Sequence, residues 1–289
     1  MPKIWTEEEH NIFREMYPNN TRKQMAKYFN VSESSIQNKA RRLGVTVNVQ
    51  DKDRGNINIF ENINSEESAY WLGFIYADGY IIVSESGRNF ELGIELSTVD
   101  IDHLNKFNSI FNNYYKVKTR IRSMDKLTTL SKNHELGRFN TMCNIRIYSK
   151  KLVEDLVKNG IVQNKTYSNI FPRVEDEELF FHFLRGFIDG DGSYHIRKVV
   201  TCKRIIQYPC INMTGNNKLF FEYIIKRLNK YDIKPTMCKD RSSWKMEIRR
   251  REDFDRLVEY MFKDANIYLD RKYEKLKEIK KIAVLDRNI

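Results

Sequence analysis

Nowhere in this 289-residue sequence does an apolar run approach the ~18–20 residues that a membrane-spanning helix needs. The start, Met1-Pro2-Lys3-Ile4-Trp5-Thr6-Glu7, lacks the apolar stretch of a secretory signal, so a soluble, cytoplasmic or organellar protein is expected. Glycine (12) and proline (5) are too scarce for a collagenous or low-complexity chain. The four cysteines, at 143, 202, 210 and 238, include no CxxC pair and are read as reduced thiols. The five histidines show no metal-binding spacing. What abounds is positive charge: 50 Lys+Arg against 39 Asp+Glu, a net +11, the footprint of a polyanion binder. With 41% hydrophobic and 12% aromatic residues the chain is expected to fold, and its length predicts about two domains.

Residues 1–46 read as three short helices. Thr6 caps the first, with Glu7, Glu8 and Glu9 in its opening turn, where carboxylates suit the positive helix end. Ile12, Phe13 and Met16 give its apolar stripe, and a second helix follows over 21–29 with Met25, Ala26 and Phe29 inward. Ser32 caps a third over 33–43, and Gly44 ends it. Its polar face carries Gln37, Asn38, Lys39, Arg41 and Arg42, side chains suited to base edges and phosphates in a major groove. Opening on Trp5-Thr6-x-Glu8-Glu9, this stretch resembles a Myb/SANT-like helix-turn-helix. The polar, Asn-rich residues 47–64 read as a linker.

From residue 65 the chain runs twice through one pattern. Trp71-Leu72-Gly73-Phe74-Ile75-Tyr76-Ala77-Asp78-Gly79 aligns with Leu184-Arg185-Gly186-Phe187-Ile188-Asp189-Gly190-Asp191-Gly192, 113 residues later, with five of nine positions identical. Each unit, 65–172 and 173–289, reads as αββαββα, an α+β fold with antiparallel sheets. In the first, strands are expected at 80–83, 90–96, 114–122 and 143–148, with helices at 100–111 and 150–159. In the second, strands fall at 194–200, 206–213, 236–239 and 244–249, helices at 217–231 and 251–262, and a basic tail helix at 270–282.

Gly73 and Ala77, like Gly186 and Gly190, lie one helical turn apart and leave a bald stripe on which two helices can meet. Gly79 and Gly192 are expected to stop those helices in the left-handed conformation. Asp78 and Asp191 then sit at the negative helix ends, where each opposes the dipole and repels the other. Divalent cations such as Mg²⁺ relieve both, and two acids on a pseudo-twofold axis point to metal-assisted phosphodiester hydrolysis.

The strands carry matching charge. Lys116, Lys118, Arg120 and Arg122 alternate with Val117, Thr119 and Ile121, which puts four cations on one sheet face and mostly apolar residues on the other. Arg146 alternates with Ile145 and Ile147; Lys245 and Arg249 alternate with Trp244, Met246 and Ile248; Arg197, Lys198, Lys203 and Arg204 flank a hairpin. All are candidate DNA contacts, tempered by Glu91, Glu95 and Glu247 on the same polar faces. His195 is read as a strand residue beside DNA; Tyr80 and Ser193 stand two residues after the acids.

The doubled motif resembles the two signatures of the LAGLIDADG homing endonucleases. That resemblance implies a monomeric, pseudo-symmetric enzyme whose two αββαββα units form a DNA-binding saddle of antiparallel sheets on a long, asymmetric double-stranded site, dependent on Mg²⁺ or Mn²⁺ and leaving 3′ overhangs. It implies catalytic acids at Asp78 and Asp191, metal also held by the carbonyls of Ala77 and Gly190, and a motif-helix interface of Gly73, Ala77, Gly186 and Gly190. It implies an assisting base near the end of each unit: Lys165 in the first, and Arg271 or Lys272, with Lys272 preferred, in the second. Tyr76 replaces the family's acid at the sixth motif position, which Asp189 keeps; Arg185, at the second, is expected to carry its charge outward. With no first nucleophile and no terminal His-Asn pair, a free-standing or intron-encoded gene of a bacterium, phage or organelle is expected rather than an intein. The alternative is a non-cleaving DNA-binding regulator or an intron-splicing maturase on the same fold.

Overall fold

The computed structural model describes residues 3–17, 20, 22–45, 54–122, 140–165, 168–200 and 205–285. The chain divides into two compact units, 1–55 and 56–289.

In the N-terminal unit, α1 (Glu7–Met16), α2 (Arg22–Tyr28) and α3 (Glu33–Leu43) enclose Phe13, Tyr17, Met25, Phe29, Ile36 and Ala40. Thr6 and Glu9 form a reciprocal capping box on α1. Ser32 caps α3, and Gly44, at φ 63°, closes it.

The large unit is α+β and built twice. In the first repeat α4 (Glu66–Asp78) runs into β1 (Gly79–Val83) and β2 (Phe90–Ser97), then α5 (Ile101–Ser109), β3 (Lys118–Arg122), β4 (Asn140–Tyr148) and α6 (Lys150–Lys158). The second has α7 (Glu177–Asp191), β5 (Gly192–Val200), β6 (Ile205–Gly215), α8 (Lys218–Asn229), β7 (Thr236–Asp240), β8 (Ser243–Ile248), α9 (Arg251–Phe262) and a tail helix α10 (Asp270–Leu285). The antiparallel sheets have the same strand order, β1-β2-β4-β3 and β5-β6-β8-β7. Period-2 alternation gives each one apolar face: Leu92, Ile94, Cys143, Ile145 and Ile147 in the first sheet, Ile211, Met213, Met246 and Ile248 in the second. Those faces, the inner faces of α5, α6, α8, α9 and α10, and the pair α4/α7 share one continuous core.

Three expectations shift. The strand expected from residue 114 begins only at Lys118. It lies at the sheet edge, and Ile121 is 68% exposed, so the apolar side of that alternation is left open at its end. Ile59 and Phe60, expected in the linker, are buried in the core of the large unit, and Asn159 donates to the Phe60 carbonyl at 2.7 Å. Composition misled there, because two apolar residues among many asparagines are enough to anchor a segment.

Candidate active site

α4 and α7 pack along one another and end on Asp78 and Asp191. A Cβ on Gly73 would stand 2.9 Å from the carbonyl carbon of Phe183, and one on Gly186 the same distance from that of Tyr70. Residues 70/183 and 73/186 are matched pairs of the two repeats, so the crossing has pseudo-twofold symmetry. One turn later Gly190 backs onto Ala77, and a Cβ there would lie 3.3 Å from Asp78 Oδ2. The bald stripe thus carries the Asp78 carboxylate up against the backbone of the opposite helix.

Gly79 and Gly192 are not left-handed. Their φ, ψ angles are −83°, 163° and −97°, 175°, so each chain passes straight from helix into strand. Glycine is required by space instead: a Cβ on either would stand 2.8 Å from the backbone oxygen of Ile75 or Ile188. The direct exit places the acids where β1 and β5 begin.

Asp78 is half-buried and Asp191 more open. Burial, then the negative charge of Asp191, pushes Asp78 up to about 6, against the opposing pull of Lys272 and Lys165. Burial also raises Asp191. Lys165 Nζ donates to the carbonyls of Ile75 (2.9 Å), Ala77 (2.7 Å) and Gly79 (2.6 Å). Lys272 Nζ donates to those of Ile188 (2.8 Å), Gly190 (2.9 Å) and Gly192 (2.7 Å). These are the same three positions in each repeat. Lys272 acts on Asp78 more strongly than Lys165 does, and Lys165 on Asp191 more strongly than Lys272. Each ammonium holds the carbonyls of its own helix end, and the positive charge of both acts on both acids. Burial lowers both lysines, Lys165 to about 8. Arg271 is turned away, in a two-pronged ion pair with Asp100, so geometry separates the two alternatives: Lys272 matches Lys165.

Arg185 does not carry its charge outward. It is fully buried, donates from Nε to the Ile267 carbonyl at 2.9 Å and pairs with Glu66 at 2.6 Å. Glu66 also accepts from the backbone nitrogens of Asn266 (2.7 Å) and Ile267 (3.0 Å). Asp189 is likewise buried, accepting from Tyr70 Oη and the Leu269 nitrogen, both at 2.8 Å. Tyr76, its counterpart, packs against Phe187 and Phe220.

On the first sheet, Lys116, Lys118, Arg120, Asn144, Arg146 and Tyr148 line one groove of about 510 Å³. Arg120 pairs with Glu95, and Arg146 approaches Glu91 to 3.5 Å. Tyr80 Oη donates to Glu91 at 3.2 Å. In the second sheet Lys245, Arg249 and Arg197 converge on Glu247 at 2.8, 3.1 and 3.4 Å. His195, half-buried, is paired in register with Cys210 on that same face. Lys198 alternates to the other face and is exposed. The Arg122 side chain, Lys203 and Arg204 lie outside the described residues. On α3, Gln37, Asn38, Arg41 and Arg42 are exposed, whereas Lys39 lies 4.8 Å from the Trp5 ring centre and against His10.

Beside Asp191 and Lys165 opens a cavity of about 310 Å³, lined also by Thr214, Asn216, Asn217 and Ser243. None of these four was singled out in the sequence. The available signal was the polar turn Thr214-Gly215-Asn216-Asn217 after β6, in the place of Ser97-Thr98-Val99-Asp100 after β2.

No family model matches the sequence, and no curated protein does. Solved structures do match. I-AabMI, a LAGLIDADG meganuclease bound to uncleaved DNA, aligns with a TM-score of 0.52 at 14% identity, over 78% of this chain and 92% of that one. I-SmaMI, a LAGLIDADG homing endonuclease bound to cleaved DNA, gives 0.52 at 15% identity, over 76% of this chain and 89% of that one. A lysine-to-alanine variant of I-SmaMI gives 0.54 at 13% identity, over 76% and 92%. This chain has the LAGLIDADG meganuclease fold. I-SmaMI has also been captured on uncleaved DNA with calcium ions.

Among the described residues no three His, Cys, Asp or Glu side chains gather as a metal cluster. What the ends of α4 and α7 offer is two carboxylates of raised pKa and backbone carbonyls. That hard-oxygen set suits a cation completed by phosphate and water, as Mg²⁺ is in phosphoryl-transfer sites.

Proposed function

We propose that this protein is a site-specific, divalent-metal-dependent double-strand DNA endonuclease. It acts as a monomer on a long asymmetric site, cuts each strand once and leaves 3′ overhangs. The observation that carries this reading is the pairing of Asp78 and Asp191 at the ends of a pseudo-twofold helix pair, each faced by a lysine and each at the start of a basic sheet. The N-terminal unit is a helix-turn-helix that lengthens the footprint by tethering. The protein works where its DNA is, in a bacterial or phage-infected cytoplasm or in an organelle.

Asp78 and Asp191, with the carbonyls of Ala77 and Gly190, would hold Mg²⁺ or Mn²⁺. Bound there, the metal would supply Lewis-acid polarisation of the scissile phosphate and would activate the attacking water. Lys165 and Lys272 fix the carbonyls of Ala77 and Gly190 and place a positive charge beside each acid. That charge balances what develops on the phosphate as the bond breaks. The sheet cations position the backbone, and their partners Glu91, Glu95 and Glu247 keep those faces from repelling themselves before DNA arrives.

The test is selection of cleaved plasmids from a random-site library in Mg²⁺ or Mn²⁺, with Ca²⁺ and EDTA as controls. Asp78→Asn and Asp191→Asn should each abolish double-strand cutting and retain binding of the recovered site in Ca²⁺. A chain that binds its site tightly but cuts nothing in either metal is instead a DNA-binding regulator or a maturase on this fold.

A further inference from the structure

We infer that Asp100 and Asn217 are positioning residues that set Lys272 and Lys165 from across the pseudo-twofold axis, so that each strand-cutting centre is completed by the opposite repeat. The inference rests on the nuclease reading above.

Asp100 and Asn217 occupy one place in the two repeats, the N-cap of the helix after the second strand, α5 and α8. Each side chain reaches the segment that carries the other repeat's lysine. Asp100 receives Arg271 Nε at 3.0 Å and the terminal guanidinium nitrogen at 2.9 Å, one residue before Lys272. Although it stands at a cap position, its carboxylate does not cap α5, so both oxygens serve the arginine. Asp100 is 9% exposed, so its carboxylate is held in place at the protein surface while the Arg271 side chain reaches it from the solvent side. A second tie from α5 reaches the same turn: Lys106 Nζ donates to the Tyr268 carbonyl at 3.1 Å and to Asp270 at 2.7 Å.

On the other side Asn217 Nδ2 donates to the Ser168 carbonyl at 3.1 Å, and the Ser168 nitrogen donates to the Lys165 carbonyl at 3.1 Å. Asn217 Oδ1 meanwhile accepts the Phe220 nitrogen at 3.0 Å and caps α8. The amide thus uses both ends, one for its own helix and one for the lysine's segment. The chemistry differs, an ion pair against an amide–carbonyl bond, but the placement is shared. Two independent solutions at equivalent positions, each aimed next to a lysine, are hard to attribute to generic interface packing.

The consequence is strand-specific. A lysine displaced by about 1 Å is expected to cost up to ~100-fold at its own centre and little at the other. The experiment uses the plasmid site recovered by cleavage selection and a matching duplex with a different dye on each strand. Lys272→Met and Lys165→Met first assign the strand each lysine serves. Asp100→Asn should then slow the Lys272 strand by tenfold or more, leave the other within twofold, and accumulate nicked circles. Asn217→Ser, which keeps the helix cap but loses the amide donor, should slow the Lys165 strand alone. Melting temperature and affinity in Ca²⁺ should match the wild type in both. Equal slowing of the two strands, no slowing, or slowing of the wrong strand overturns the inference. If Asp100→Asn fails to fold, Arg271→Gln and Asn217→Ser decide it by the same readout. A wild type that cuts neither strand overturns the nuclease reading itself and this inference with it.

Discussion

Gly190 rests on the Cβ of Ala77, and there is room for only one Cβ between the two motif helices at that level. The internal duplication is therefore not perfect where it matters most: one repeat has alanine, the other must have glycine. Above this contact the symmetric pair Gly73 and Gly186 faces backbone, not side chain.

Gly186→Ala and Gly73→Ala should therefore cost more than ordinary overpacking. A backbone neighbour cannot rotate away, so the loss should reach or pass the upper end of the ~1–3 kcal/mol typical of inserted methyl groups. Urea denaturation of the large-unit transition measures it. A loss below about 0.5 kcal/mol would mean that the helices separate freely and do not fix the two acids.

Arg185 and Glu66 form a buried pair that ties the start of α4 to the 261–267 segment. Burial raises Glu66, but hydrogen bonds from Asn266 and Ile267 and the charge of Arg185 outweigh it and leave the carboxyl below its usual range. Arg185→Met should cost about 2–3 kcal/mol, because Glu66 loses its charge partner and keeps only the hydrogen bonds from Asn266 and Ile267. Adding Glu66→Gln should recover part of the loss. Chemical denaturation of the single and double variants gives the coupling, and purely additive effects would show that the pair is not one unit.

How much of the fold and site is legible in the sequence depends on periodicity and repetition. The doubled motif yields Asp78, Asp191 and the glycine stripe, because a five-in-nine identity at matched spacing seldom arises except by duplication. Strand alternation locates the sheets, but not the edge position of β3 that leaves Ile121 in water. Arg185 misleads because a lone cation on a helix is normally solvated; its partners Glu66 and Ile267 lie 119 and 82 residues away and leave no local trace. Choosing between Arg271 and Lys272 is beyond the reach of adjacent residues in sequence, since the answer depends on which way a helix start faces.

His103 offers a pH test away from the acids. It is buried, with Nε2 3.0 Å from Tyr70 Oη, and burial, aided by Lys106 and Lys272, lowers its pKa to about 3. In the unfolded chain it titrates near 6.5, so between those values the unfolded state binds the extra proton. Stability must then fall as the pH drops from about 6.5 toward 3. Asp78 and Asp189, raised to about 6, act in the opposite direction over about pH 4–6 but are common to both proteins compared. The stability advantage of wild type over His103→Gln should shrink by about 1–2 kcal/mol between pH 7 and pH 5. A pH-independent difference would show that His103 titrates normally.

The N-terminal unit separates two kinds of cation on one helix. Arg41 and Arg42 are exposed on α3, while Lys39 lies over the Trp5 ring and against His10. If α3 lies on DNA, replacing Arg41 and Arg42 with alanine should weaken binding and reduce the slope of log affinity against log salt by about 0.9 per lost phosphate contact. Gln37→Ala and Asn38→Ala should relax base preference with little change in slope. Lys39→Ala should leave the slope alone and lower the melting temperature of this unit, since it removes a cation–π contact worth ~0.5–1 kcal/mol. Titrations of the full chain against its recovered site at several salt concentrations, beside calorimetric melts, distinguish the three. An arginine pair whose loss changes neither affinity nor slope would remove this unit from the DNA.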